Sequence, residues 1–268
     1  MADLIGLKSG KEIESLELNL LTNSRTLSKS QIAELDDTLD EGDVDELITK
    51  FELRSKLYST QLYKVDKNII TSNFSWAEVP EYFLCLYYSY FGADDKSGGT
   101  GLFERISAEA LKNFLNGEVI AFGFPAASGF NQNLDRIAII CKEERGKPAQ
   151  GTYKDDGVDV VGYKLFGDSR SSNLYVLLQC AAGIHWTQKK PIPMNRWVQY
   201  IFWVQNNILE SISTSEFVEE KDWQKRTTTY GMLLDRLRIY NFLYSKVVDA
   251  SIRLETYKWC ETKLDAGL

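Results

Sequence analysis

The sequence predicts an α/β protein, a mixed central sheet flanked by helices, with an N-terminal helical region in front of it. Three observations carry that expectation. Helical and β-like segments alternate through the second part of the chain, the pattern of a sheet covered by helices. Two β-rich runs, GVDVVGYKLF and NLYVLLQCAA, are separated by the turn-forming GDSRSSN and read as a hairpin. A chain of 268 residues that is 44% hydrophobic and 26% charged has the apolar material for one large core or two small ones. With no internal repeat and no clear linker, the expected division is 1–75, the helical N-terminal region, and 76–268, the sheet-containing core with a closing helix.

From Leu27 onward, Ile32, Leu35 and Leu39, then Val44, Leu47, Ile48 and Phe51, recur at the spacing of amphipathic helices. This predicts two helices with a break near Gly42. Tyr63 to Val79 mixes β-branched and polar residues and reads as a short strand or connector. YFLCLYYSYFG is apolar on all sides and predicts a buried helix. The loop DDKSGGTG, residues 94–101, lacks the following Lys-Ser/Thr of a phosphate-binding P-loop. GLFERISAEALKNFLNG sets Leu102, Phe103, Ile106, Ala110, Leu111 and Phe114 on one side and stops at Gly117, which predicts a helix. EVIAFGFP is a strand ended by Pro125, 131–143 a helix and 142–154 a polar, basic loop. After the hairpin, Trp197, Tyr200, Ile201 and Val204 predict a helix, Ile208 to Phe217 a strand, and FVEEKDWQKRTTTYG a helix. GMLLDRLRI then reads as a strand and Tyr240 to Leu264 as the closing helix.

The net charge of −7 at first argues against nucleic acid, whose binding draws on neutralising phosphates with Lys and Arg. Its distribution softens the objection. Residues 1–60 hold 13 acidic against 7 basic residues, whereas 136–196 hold 10 basic against 6 acidic. That fits a polyanion site in the second half and an acidic front end facing solvent or another protein. No apolar run reaches the roughly 18 residues of a spanning helix, and the first 20 residues do not follow the signal-peptide pattern. The expectation is a cytoplasmic protein away from membranes. Cys85, Cys141, Cys180 and Cys260 are far apart and His185 is the sole histidine, which argues against a zinc site or a disulfide framework. A Ser-His or Cys-His pair would have to use His185, and no G-x-S-x-G elbow accompanies it; a partly buried residue at a helix start is the expectation for it.

Folding the hairpin about Arg170 sets residue 159 roughly opposite 181, within reach of Gln179 and Ala181, which share a face. An acid faced by a polar residue at the end of an apolar strand suggests a metal or a reacting group. A hard cation such as Mg²⁺, or Mn²⁺ in its place, would take the Asp159 carboxylate, the Gln179 side-chain oxygen and the Cys180 carbonyl. The alternatives are structural: Asp159 in a solvated turn after Asp155 and Asp156, Gln179 satisfying backbone groups, Lys189 and Lys190 a solvated pair. Arg236 and Arg238, read on one face of a strand, would contact phosphates or pair with the acids of the N-terminal region.

DGVDVVGYKLF followed by LLQCAAGIHWTQKK, with the helix LFERISAEAL ahead of them, resembles the core of the PD-(D/E)XK phosphodiesterase superfamily over residues 100–205. The resemblance implies a restriction-endonuclease-like fold and Mg²⁺-dependent cleavage of nucleic acid. It assigns Glu104 to the helix acid, Asp159 to the strand aspartate and Gln179 to the second ligand in its glutamine version. Ala181 stands where the family has its lysine; Lys189 and Lys190 are the candidate substitutes, with Lys189, three residues after Trp186 on an expected helix, preferred. The strings QCAAGIHWTQK and LDRLRI resemble a group of uncharacterised bacterial proteins, for which defence against phage is implied. The resulting expectation is a metal-dependent nuclease acting on DNA in preference to RNA, working with a protein partner or as a homo-oligomer. The alternative is a catalytically silent fold serving as a nucleic-acid-binding or regulatory subunit.

Overall fold

The computed structural model describes residues 11–36, 39–93, 95–122, 129–151, 155–244, 246 and 248–267. Helix α1 (Glu12–Thr22), strand β1 (Thr26–Ser28), the short α2 (Lys29–Ala33) and α3 (Glu41–Ser55) come first, then the hairpin of β2 (Tyr63–Asp66) and β3 (Ile69–Ser72). Next are α4 (Pro80–Phe91), α5 (Gly99–Leu115), β4 (Glu118–Ala121), α6 (Phe130–Cys141) and the two-residue β5 (Glu144–Arg145). Then β6 (Val160–Lys164) and β7 (Leu174–Ala181) form the expected hairpin, followed by α7 (Met194–Tyr200) and β8 (Ile201–Phe202). The rest is β9 (Leu209–Thr214), α8 (Glu220–Tyr230), β10 (Met232–Leu234), α9 (Arg236–Tyr244) and α10 (Ala250–Asp265).

Five strands make the central sheet in the order β10-β9-β7-β6-β4. It is mixed: β6 runs antiparallel to both β4 and β7, while β9 lies parallel to β7 and β10 parallel to β9. Val176, Leu178 and Cys180 of β7 point into the larger core with Phe103 and Ile106 of α5, and Tyr175 and Leu177 into a second core with Leu134 of α6 and Trp197 of α7. Helices therefore cover both faces, as a sheet buried on both sides requires. Gly162 brings α5 down onto β6: a Cβ there would lie 2.7 Å from Leu111 Cδ2.

Residues 1–75 are less helical than their periodicity predicts. Strands β1, β3 and β2 form a second, antiparallel sheet. The β2–β3 turn bears Lys67 at φ +56°, a left-handed position filled here by a residue that sends no turn signal. The break between α2 and α3 lies ahead of Gly42, because the Asp40 carboxylate accepts the Asp43 N–H at 2.9 Å and starts the helix there. Glu14 and Glu17 of α1 face inward rather than toward solvent, because Arg236 is buried between them; its Nη2 lies 3.3 Å from Glu14 and 2.9 Å from Glu17.

The run GMLLDRLRI is a strand only to Leu234. Asp235 accepts the N–H groups of Arg238 at 3.0 Å and Val218 at 3.2 Å and so begins α9, which puts Arg236 and Arg238 on a helix. Arg236 therefore pairs with acids, while Arg238 stacks over Trp223. The closing segment is two helices, α10 being capped by Asp249. Val204 lies beyond the short α7, and Phe114 is largely exposed against Phe242. The expected strand end at Pro125 lies outside the described residues, as do residues 152–154 of the basic loop; within that loop Arg145 is tied to Asp135 and Asn131. No helix among the described residues is long and apolar enough to cross a membrane, and all four cysteines are free and buried.

Candidate active site

The β6–β7 ladder runs from Val160↔Leu178 to Lys164↔Leu174, which centres the loop on Ser169 rather than Arg170. Asp159 therefore falls opposite Gln179, not Ala181. The Asp159 N–H donates to Leu178 O at 2.9 Å, and its Oδ2 accepts the Cys180 N–H at 2.6 Å. Strand β7 runs on past β6 because β9 still pairs with it at Cys180 and Ala181. The carboxylate thus takes the place of the next strand acceptor, and the Cys180 carbonyl turns to the same edge as its N–H.

The turn ahead of Asp159 is held from below. Asp156 and Gly157 both adopt positive φ, +48° and +80°, and the Asp155 carboxylate accepts the Gly157 N–H at 2.8 Å. Asp156 is no solvated turn residue: its buried carboxylate accepts from Arg196 Nε at 2.7 Å and Tyr200 OH at 2.8 Å. Sequence reasoning missed this because the partners lie 40 and 44 residues downstream. Asp156→Ala, which removes both bonds and loosens the turn, is expected to cost about 1–3 kcal/mol in urea unfolding. An unchanged midpoint would remove Asp156 from the support of Asp159.

Burial pushes the Asp159 carboxyl up to about 6, against the opposing Cys180 N–H bond, with Asp155 adding to the rise and Lys189 opposing it. Burial, with the Asp159 and Glu104 charges, also holds the Cys180 thiol well above its usual range. Cys180 is accordingly a protonated thiol, suited to lend its carbonyl rather than act as a nucleophile. The hydroxyls of Ser107, one turn after Glu104 on α5, and of Ser213 on β9 border this thiol; no sequence motif marks them.

Glu104, Cys180 and Lys189 line one cleft of about 750 Å³, between the α4–α5 junction and the segment leaving β7. Asp159 joins them through the Cys180 N–H and the field of Lys189. Gln179 does not line this cleft. It is buried, with its amide nitrogen 3.7 Å from where a Cβ of Gly157 would stand, a point 3.6 Å from Pro193 at the start of α7. Lys189 is not on a helix: Trp186–Gln188 make a single 3₁₀ turn and Lys189 ends it in extended conformation. Its backbone is nonetheless anchored, its N–H donating to Trp186 O at 3.0 Å and its carbonyl accepting Tyr230 OH at 3.0 Å. Lys190 is exposed outside the cleft lining, and His185 is exposed rather than partly buried. Ala181 also lines the cleft, and it packs in a small apolar cluster with Trp186, Ile212 and Tyr230.

Among the described residues, no three His, Cys, Asp or Glu side chains gather closely enough to hold an ion between them. The donors around Cys180 are oxygens, the Asp159 and Glu104 carboxylates and the strand carbonyl, a set that fits a hard cation and not zinc.

No family model matches the chain, and no curated protein matches it. Among solved structures it is similar to the MspJI restriction endonuclease in complex with a 27-mer oligonucleotide, with a TM-score of 0.34 and 11% identity. The match covers 77% of this chain and 38% of that one. No residue role is carried over from that structure.

Proposed function

We propose that the protein is a metal-dependent nuclease of the PD-(D/E)XK type, hydrolysing phosphodiester bonds of DNA in preference to RNA. One observation supports this reading above the others. A carboxylate raised to about 6 caps the C-terminal end of β7, beside a cleft lined by Glu104 and the anchored Lys189. Asp159 and the Cys180 carbonyl would hold Mg²⁺ or Mn²⁺, with Glu104 binding a second ion or its water; Gln179, outside the cleft lining and packed against the Gly157 turn, is not among the ligands. The ion, when bound, supplies Lewis-acid stabilisation of charge developing on the phosphoryl oxygens. Lys189 orients the attacking water and offsets transition-state charge in place of the lysine absent at Ala181. A net charge of −7 weakens binding to a polyanion by the isolated chain, so a protein partner or homo-oligomer belongs to the proposal, as does action in anti-phage defence.

The test is incubation with plasmid, linear duplex DNA, single-stranded DNA and RNA in Mg²⁺, Mn²⁺ and EDTA, read as cutting of any one of them. Cutting is expected with either ion and not in EDTA, and Lys189→Ala should lower its rate by about 10²–10³-fold. Equal rates for Lys189→Ala would place the water-orienting group elsewhere. The buried Ala181 favours a second reading, a catalytically silent fold that binds nucleic acid or regulates a defence complex; the wild type would then cut nothing under any of these conditions.

A further inference from the structure

We propose, resting on the nuclease reading, that the substrate is single-stranded nucleic acid, one unpaired base of which stacks at the mouth of this cleft. Phe91, at the end of α4, and Ile184, in the segment after β7, both line the cleft and are each 43% exposed. The Phe91 ring is held by Tyr87 at 4.6 Å and Tyr90 at 4.7 Å, which makes it a fixed platform with one surface open. Exposed apolar groups give nothing to a sugar-phosphate backbone; they suit the face of a base, and stacking of bases on aromatic side chains is sequence-tolerant.

Charge points the same way. The described acidic and basic side chains of the lining are Glu104, His185 and Lys189. Intact duplex is held chiefly by many Lys and Arg contacts to phosphates, which this lining and a net charge of −7 do not supply. The cleft volume, about 750 Å³, is that of a small-molecule pocket and admits a splayed nucleotide. Gly92, Ala182 and Gly183 give this lining walls of little side-chain bulk.

The experiment is fluorescence anisotropy on the Asp159→Asn protein, which does not cut, with a labelled oligothymidylate and a duplex of equal length. The single strand is expected to bind at least about tenfold tighter. Phe91→Ala in that background, and independently Ile184→Ala, should weaken single-strand binding by about tenfold and leave duplex binding unchanged. Both positions are exposed, and circular dichroism melts equal to the parent's show that the fold is kept. Duplex binding as tight as single-strand binding, or unchanged single-strand affinity in both variants, overturns the proposal. A wild type that cuts duplex and single strands alike overturns it while leaving the nuclease reading in place. A protein that neither binds nor cuts any of these nucleic acids overturns both.

Discussion

Asp159→Asn is expected to abolish metal-dependent cleavage and, at the same time, to make the protein more stable at pH 7.5. Burial raises the Asp159 carboxyl from the ordinary 3.8 to about 6. Between those values the unfolded chain ionises while the folded one does not, so a penalty on folding builds as pH rises and is complete above about 6. The full difference corresponds to about 3 kcal/mol, and partial solvent access reduces it to about 1–2 kcal/mol. Asparagine is neutral, and its carbonyl still accepts the Cys180 N–H. Thermal melts should therefore place Asp159→Asn above the wild type by about 2–6 °C at pH 7.5 and level with it at pH 4. The wild type should gain metal affinity as pH rises toward about 6 and level off beyond it, since the ligating form is the carboxylate. A variant that still cuts removes Asp159 from the machinery, and one that melts with the wild type at both pH values removes the desolvated charge.

Arg236→Met should produce the largest loss of stability. The guanidinium is fully buried, with Glu14 and Glu17 against it and its charge 5.6 Å from the centre of the Tyr82 ring. Burial pushes Glu14 upward, but Arg236 together with Arg54 outweighs it and the net shift is downward. For Glu17 burial wins over Arg236 and the carboxyl remains raised. Taking the cation away leaves two carboxylates buried side by side, a change that costs about 3–5 kcal/mol. In urea unfolding at pH 7.5 that is a large part of an ordinary domain's stability. The deficit should shrink as pH falls toward 4. In the variant both acids escape their penalty by taking up protons, and in the wild type the stabilisation from the depressed Glu14 is lost below its usual range. Adding Glu17→Gln should restore part of the loss. An unchanged urea midpoint in Arg236→Met would mean that the triad carries no folding energy.

Much of the architecture was legible because it is local. The two-residue alternation of GVDVVGYKLF and NLYVLLQCAA with turn formers between them, the stripe of Leu102, Phe103, Ile106 and Leu111, and the wholly apolar YFLCLYYSYFG each carry their own signature. Strand β6 and β7, α5 and α4 stand where those patterns put them. Helix α1 sends a weaker signal. It is buried on nearly every side, so ESLELNLL shows no clean stripe, and its acids read as surface residues until Arg236 is seen beside them.

The candidate site was legible in its residue types and only approximately in its geometry. Asp159 and Cys180 meet, and Glu104 and Lys189 share a cleft with Cys180, but the loop centre moved by one residue and the opposite position by two. Gln179 ends up beneath the Gly157 turn rather than facing the cleft. Lys189 reaches its place by an extended segment that Tyr230 fastens from α8.

By itself the sequence determined the class of fold, its mixed sheet and the hairpin that bears the candidate acid, since hydrophobic period and turn chemistry act between near neighbours. Only the tertiary structure decided which charges are buried, where the Asp159 carboxylate stands, and which lysine shares its cleft. A carboxylate reads the same in sequence whether water or an arginine 219 residues away, as for Glu17 and Arg236, compensates it.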